Sequence, residues 1–484
     1  MTDVAATPEV HHDKPSYKTK FFYGFGAIPY GVFDNGFSYF LLPFYSIVMG
    51  LPPQLTGLAL MLALVFDAIS DPLVGNLSDH WRSKWGRRHP FMYAAILPIA
   101  VSFFFLWSPP EGLSTVQLFW YLTLLAMVIR TCTTFYEIPS TSLVAEFTDD
   151  YDQRTTMLSF RYLFGWFGGL TMAILGWGVF LRPTETHPIG LTNVAGYLPY
   201  GLTASLIMAV AIFISAVGTH SQIPFLHKPP KVESFDLRKV LGKLIDTLSD
   251  RSFFALFMAA IASAGAGGIG VVMFIYLSVY YWGLTTGEIW YFPLFNIISA
   301  ISAVIIASIL ARRRDKKRIA VGISIFSVFF LPLPIILRML GLFWENGDPM
   351  LLPTLLVHNV IEVTALISIG ILISSMVADM VESAEMRTGR RSEGLFFAAR
   401  GFAAKCSSGI GLLIGGTILG IVDLPRYGAS LDTTEPAKLT QLAMIYVPTI
   451  MIAYLLAIFA LNFYKIDRAG HNDRVDTLRE RRKK

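Results

Sequence analysis

Acidic residues placed in stretches too apolar to sit in water are where this chain could do chemistry. Asp67 and Asp71 lie in FDAISDPLVGNLSDHWRSKWGRRHP, Phe66 to Pro90, which begins as a hydrophobic helix and ends in a loop carrying Arg82, Lys84, Arg87 and Arg88. An aspartate at bilayer depth costs about 2.5–3.5 kcal/mol on insertion scales, so two of them demand a reason. Four residues is about one helical turn, and both carboxylates therefore face the same way. Two acids at one height on one face make a site for a cation or a proton; the alternative is a pair salt-bridged for packing.

Further charges fall at membrane depth. RTCTTFYEIP places Arg130, Thr134 and Glu137 at i, i+4 and i+7, on one helix face. Arg130 can neutralise Glu137 across two turns, or either can pair with another helix. Pro139 beside Glu137 exposes backbone carbonyls next to a carboxylate, which suits a ligand contact. Asp34, one turn after Gly31, should face a water-filled cavity or a basic partner. Arg161 opens the fifth apolar stretch, and Lys405 lies about ten residues into the eleventh, too deep to snorkel easily. Bases of one half facing acids of the other would join the halves across a cavity. A cation entering between Asp67 and Asp71 would compete with such a base, a coupling free energy that must be reciprocal. His358 and Glu362, again four apart, form either a proton relay or a mutually satisfied pair. Tyr39, Tyr162, Trp166, Tyr276 and Tyr280 are candidates for stacking on a sugar ring.

The elements that hold these residues follow from composition. Of 484 residues 54% are hydrophobic and 15% charged, against about 25% charged in soluble domains. Apolar runs long enough to span a bilayer fall at 21–49, 56–78, 91–108, 115–139, 158–181, 198–219, 253–282, 288–311, 318–344, 351–379, 395–421 and 440–465. The expected fold is an all-α membrane protein with twelve transmembrane helices in two six-helix bundles, 21–219 and 253–465. A tail at 1–20, a basic linker at 220–252 and a basic tail at 466–484 complete it. Such halves suit a transporter built from repeated bundles, with its site between them near the midplane.

The net charge of +5 reads as topology rather than nucleic-acid binding. Its Lys and Arg cluster at Arg82–Arg88, Lys228–Lys243, Arg312–Arg318 and Arg387–Arg391, whereas the alternate turns PPEG, TTGE and WENGDP carry none and the alternate loops 182–197 and 422–439 carry only Arg182, Arg426 and Lys438. Both termini are therefore expected in the cytoplasm, with the last tail touching anionic lipid. Cys132 and Cys406 fall inside spans and read as small apolar residues. No cleavable signal pattern opens the chain, and His11 and His12 read as solvated. There is no P-loop, zinc-ligand spacing or nucleophile elbow, and GFGAIPYG starts a span rather than following a strand. No enzyme activity and no cofactor are expected.

FDAISDPLVG followed by RSKWGRRHPF resembles the second span and following loop of the glycoside-pentoside-hexuronide cation symporters, the melibiose permease group of the major facilitator superfamily. TFYEIPSTSLVAEFTDDYDQRTTMLSFRYLFG, MVADMVESAEMRTGRRSEG and RGFAAKCSSG extend the likeness over nearly the whole chain. The loop also resembles that of plant-type sucrose/proton symporters, and animal lysophospholipid/sodium symporters share DPLVG. The resemblance implies that Asp67 and Asp71 bind the coupling cation, sodium or a proton, with hydroxyls from Thr134 and from Ser70, which stands for an asparagine. It implies that Glu137 replaces an aspartate that holds sugar hydroxyls, and that Arg161 and Lys405 are the functional Arg and Lys. The family's first-span aspartate aligns with Gly31, leaving Asp34 to serve, and its tryptophan after IP aligns with Thr141. Arg130, at a small-residue position, either suits an acidic sugar or balances Glu137. The expected function is alternating-access symport of a sugar or glycoside across a bacterial inner membrane by a monomer. The alternatives on the same fold are a lysolipid and a hexuronate.

Overall fold

Apolar stretches that cannot hydrogen-bond to lipid must satisfy every backbone group internally, and helices do so. The computed structural model describes residues 15–148, 151–185, 187, 190–225, 251–313, 315–388, 393–424 and 435–463. Eleven of its helical segments are long and apolar enough to cross a membrane. The expected first span is instead a broken helical run. It comprises α1 (Tyr17–Phe25), α2 (Ile28–Asn35), a π-turn at Gly36–Phe40, α3 (Leu41–Pro43) and a second π-turn at Phe44–Val48. Five spans complete the first half: α4 (Pro53–His80), α5 (His89–Leu106), α6 (Thr115–Phe147), α7 (Tyr151–Leu175, continued by a π-turn at Gly176–Phe180) and α8 (Val194–His220).

The second half supplies six spans. They are built on α9 (Arg251–Tyr276, with a π-turn at Leu277–Tyr281), α10 (Thr286–Ile289) with α11 (Tyr291–Arg313), α12 (Lys316–Phe330) with α13 (Leu333–Met339), α14 (Leu351–Thr388), α15 (Glu393–Val422) and α16 (Pro436–Asn462). Local sequence sets several of these ends. Ser114 and Gln117 form a capping box at the start of α6, and Pro53 opens α4, where a missing N–H costs nothing. Pro29 lies in the first turn of α2 and Pro332 precedes α13, so both mark breaks, whereas Pro139 lies inside α6. The basic linker residues Lys228–Lys243 lie outside the described residues, as do both chain ends.

The two halves meet most extensively where α4 packs on α15. A Cβ on Gly57 would stand 2.6 Å from the Leu412 carbonyl oxygen, and one on Gly416 would press still closer on that of Pro53. Glycine is therefore what lets these backbones touch. At the same end Ser46 Oγ and Tyr276 OH share a hydrogen bond of 2.5 Å across the halves, and α10 meets the π-turn after α7. The molecule is sealed at this end. Asp67 lies ten residues beyond Gly57 along α4, about 15 Å at 1.5 Å per residue. That is half of a hydrocarbon core about 30 Å thick.

Candidate substrate and cation site

Asp67 and Asp71 project from α4 toward α6 and α15. Thr134 Oγ1 of α6 stands 3.0 Å from Asp67 Oδ1 and 2.9 Å from Asp71 Oδ1. A hydroxyl carries one hydrogen and donates to one of them at a time. Lys405 of α15 caps the pair from the other half: its Nζ is 2.8 Å from Asp67 Oδ2 and also contacts Asp71 Oδ2. Arg130 Nη1 approaches Asp67 Oδ2 at 3.3 Å, its guanidinium lying 5.3 and 5.0 Å from the ring centres of Phe33 and Phe37. Cation–π contact supplies part of what a buried guanidinium loses in water. Arg130 Nε, also buried, has no partner among the described residues.

A second cluster sits one helix over. Arg161 of α7 donates from Nη2 to Glu137 Oε1 at 2.6 Å and from Nη1 to Ser140 Oγ at 2.8 Å, while Thr141 Oγ1 donates to Glu137 Oε1 at 3.1 Å. Thr141, at the family's tryptophan position, is thus tied to the carboxylate. Glu137 Oε2 has no partner among the described residues. Of the two pairings open to Arg130 and Glu137, each residue has taken the one with another helix. Asp34 lines the same cavity and is without an ion-pair partner within 4 Å among the described residues.

These side chains border a cavity of connected lobes. One, of about 370 Å³, is bounded by Asp34, Asp67, Asp71, Arg130, Glu137 and Lys405. A larger one, about 530 Å³, runs between α7 and α11 past Arg161, Tyr162 and Trp166. Two sequence expectations fall outside this arrangement. Ser70 is buried, its Oγ donates to the Asp67 carbonyl oxygen at 3.1 Å, and it does not line the cavity. Its hydroxyl is spent on its own helix. His358 and Glu362 face a separate lobe in the second half rather than the carboxylate pair; His358 Nδ1 is 3.6 Å from Glu362 Oε2. Among the aromatic candidates Tyr39, Tyr162 and Trp166 border the cavity, whereas Tyr276 is buried at the seal with its hydroxyl on Ser46.

One network was not foreseen. Arg88, read as a loop charge, is buried and bonded from Nε to Glu146 at 2.9 Å, from Nη2 to Asp79 at 2.5 Å and from Nη1 to Ser78 at 2.6 Å, with Arg87 Nη2 on Glu146 at 2.8 Å. It ties the start of α5 to the ends of α4 and α6. Glu146 carries no local signal, because its partners are 58 and 59 residues away.

The family model described as MFS/sugar transport protein matches residues 22–468 of the chain. The chain belongs to that family. Over 97% of its length it is 26% identical to an uncharacterised symporter of Synechocystis, covering 98% of that protein. It is 22% identical to the isoprimeverose transporter of Lactiplantibacillus pentosus over 95% of its length and 91% of the relative. Among solved structures the nucleoside transporter NupG shares the fold with a TM-score of 0.58 at 12% identity, covering 93% of this chain and 98% of that one. It is a multi-pass membrane protein of transporter type. Glycine at position 31 has a steric reason. A Cβ on Gly31 would collide with the Gly165 carbonyl oxygen, so no side chain fits, and the carboxylate of this helix comes from Asp34, one turn on and facing the cavity.

Proposed function

We propose that this protein is a cation-coupled symporter that moves a neutral sugar or glycoside across the inner membrane of a bacterial cell by alternating access. The observation that carries the reading is the convergence of Asp67 Oδ1, Asp71 Oδ1 and Thr134 Oγ1 beneath the Lys405 ammonium. Three oxygens of hard character suit sodium or a proton, and the ammonium stands where such an ion would compete. Displacing it gives the second half a reason to move when the ion binds, which is the coupling symport requires. Glu137, Arg161 and Asp34 then receive the substrate hydroxyls, Glu137 with one oxygen free.

Charge favours a neutral substrate over a hexuronate. With every group ionised, Asp34, Asp67, Asp71 and Glu137 face Arg130, Arg161 and Lys405, which leaves one net negative charge among the described cavity residues. One monovalent cation neutralises it; an acidic sugar would restore it. Loop charges put both termini in the cytoplasm. The sealed end then faces outward and the cavity inward. A second reading, an amphiphile substrate, is favoured by the large lobe, whose walls between α7 and α11 include Leu158, Trp166, Leu170 and Ala173.

Uptake by the purified protein in vesicles, with labelled sugars, hexuronates and lysolipids under separate sodium and proton gradients, tests these readings. Accumulation of one neutral sugar that collapses with one ion is expected, and Asp67→Cys or Asp71→Cys abolishes it. Normal accumulation by both variants would sink the cation site. Uptake of lysolipid alone would sink the sugar.

A further inference from the structure

Two arginines enter the site from the first half, and they are held very differently. Arg161 is fixed by Glu137 at 2.6 Å and by Ser140 at 2.8 Å. A guanidinium has five N–H donors. Arg130 uses one of them among the described residues, from Nη1 to Asp67 Oδ2 at 3.3 Å. That length lies beyond the usual range of about 2.7–3.2 Å, and the same oxygen already receives the Lys405 ammonium at 2.8 Å. Arg130 Nε is buried without a partner among the described residues. The guanidinium therefore rests largely on the rings of Phe33 and Phe37, 5.3 and 5.0 Å away, whose centres are 4.5 Å apart. A ring face attracts a cation without fixing its direction, so the group can turn over these faces and keep that contact.

The segment that supplies the rings also supplies a carboxylate. Asp34 follows Phe33 directly near the end of α2, and Phe37 stands close to one turn on. Asp34 is exposed to the cavity lobe that Arg130 also lines. It has no ion-pair partner within 4 Å among the described residues, yet it and Arg130 feel each other's charge across the lobe. A loosely held cation thus stands between two carboxylates of different helices. It touches Asp67 of α4, which has other partners, and faces Asp34 of α2, which has none.

We propose that Arg130 is a positioning residue that leaves Asp67 for Asp34 when the coupling cation binds, and so reports the cation to the substrate site. This rests on the cation-symport reading and deepens it. A cation between Asp67 and Asp71 neutralises the carboxylate that holds Arg130 and repels its guanidinium. Glu137 is taken by Arg161, so the unpaired carboxylate of the lobe is Asp34. Arg130 then fixes Asp34 through one oxygen and leaves the other to accept a substrate hydroxyl. Lys405 carries the signal to the second half, Arg130 to the first. Because linkage is reciprocal, a substrate that holds Asp34 in this arrangement tightens the cation in turn.

A double-mutant cycle on cation affinity tests the switch in the absence of substrate, with the full-length protein in nanodiscs. Sodium is titrated at fixed pH, and protons are titrated without sodium, both by calorimetry. Asp34→Asn removes the place to which Arg130 moves, and affinity for the coupling ion should fall about tenfold. In an Arg130→Ala background the same change should cost less than about twofold, because no guanidinium is left to move. Arg130→Lys keeps a mobile charge and should restore a several-fold dependence on Asp34, which a packing role would not. If Arg130→Ala does not fold, Arg130→Gln takes its place. Equal loss in both backgrounds marks a plain field effect of Asp34 and overturns the switch alone. So does an Asp34→Asn variant that binds the ion as the wild type does. If neither sodium nor protons bind the wild type, the cation reading falls and the switch with it.

Discussion

Lys405→Gln isolates the competition on which coupling depends. The Lys405 ammonium lies 2.8 Å from Asp67 Oδ2 and contacts Asp71 as well. With Arg130 on Asp67 at 3.3 Å, the cluster holds two acids and two bases. Glutamine keeps a donor at nearly the same reach but removes a charge, so the cluster becomes singly negative. Across 2.8 Å one unit pair attracts by about 6 kcal/mol at an effective dielectric of about 20, and by about 1.5 kcal/mol in water. The Lys405 side chain is 32% exposed, so the lower part of that range governs. An incoming cation should gain about 1.5–3 kcal/mol, a dissociation constant roughly ten- to a hundredfold lower. Sodium titrated at fixed pH, and pH titrated without sodium, read the change by calorimetry or intrinsic fluorescence. Affinity for one of the two ions should rise while gradient-driven uptake falls, because a cation that displaces nothing no longer signals to the second half. Unchanged or weakened affinity for both ions in a folded variant would refute the reasoning and make Lys405 a ligand holder.

Three further outcomes follow from the same geometry. Glu137→Gln removes the charge from the 2.6 Å partner of Arg161, and substrate affinity measured by calorimetry should fall about tenfold, the lower end for a charge pair because the Glu137 side chain is 29% exposed. Glu146→Gln strands Arg88 and Arg87, and because both Glu146 and Arg88 are about 95% buried it should cost about 3 kcal/mol, the lower end for a broken buried pair since Asp79 still holds Arg88; the thermal midpoint in detergent reads it. Gly57→Leu places a Cβ 2.6 Å from the Leu412 carbonyl, forces α4 from α15 at the seal, and should raise thiol labelling of Ser46→Cys several-fold.

Class and the placement of eleven spans were legible in the sequence because lipid leaves a hydrophobic segment few options; the first expected span, 21–49, is a broken run of short helices instead. The pairing of Asp67 with Asp71 was legible because i and i+4 share a helix face whatever the helix packs on. Which base answers which acid was not. Arg130 and Glu137 share a helix face, yet Arg130 bonds to α4 and Glu137 to α7, since partner choice depends on helix positions that spacing does not encode. Ser70 misled for a related reason. It is three residues from Asp67 and near its face, but a helical serine can bond its hydroxyl to its own backbone, and this one does.

The repeat between halves was legible only as a count of spans, and its local form explains the seal. FYSIVMGL and LSVYYWGL have little identity, yet each ends its span in a π-turn followed by a glycine at positive φ, Gly50 at 73° and Gly283 at 63°. The hydrogen bonds repeat too: Met49 and Leu51 donate to the carbonyls of Phe44 and Tyr45, as Trp282 and Leu284 donate to those of Leu277 and Ser278. Only glycine takes that conformation without strain, so each chain turns sharply after its widened coil and enters the next span. The two turns stand at the same end, where Ser46 of one run bonds Tyr276 just before the other. Sealing therefore involves corresponding parts of the two repeats. Because the halves meet here through the Ser46–Tyr276 hydrogen bond, helix contacts and glycine-to-backbone approaches, with no salt bridge between the halves among the described residues at this end (Lys438 and Asp423 pair within the second half), they can part without stranding a charge. The ion pairs lie deeper, at Lys405, where ion and substrate can act on them.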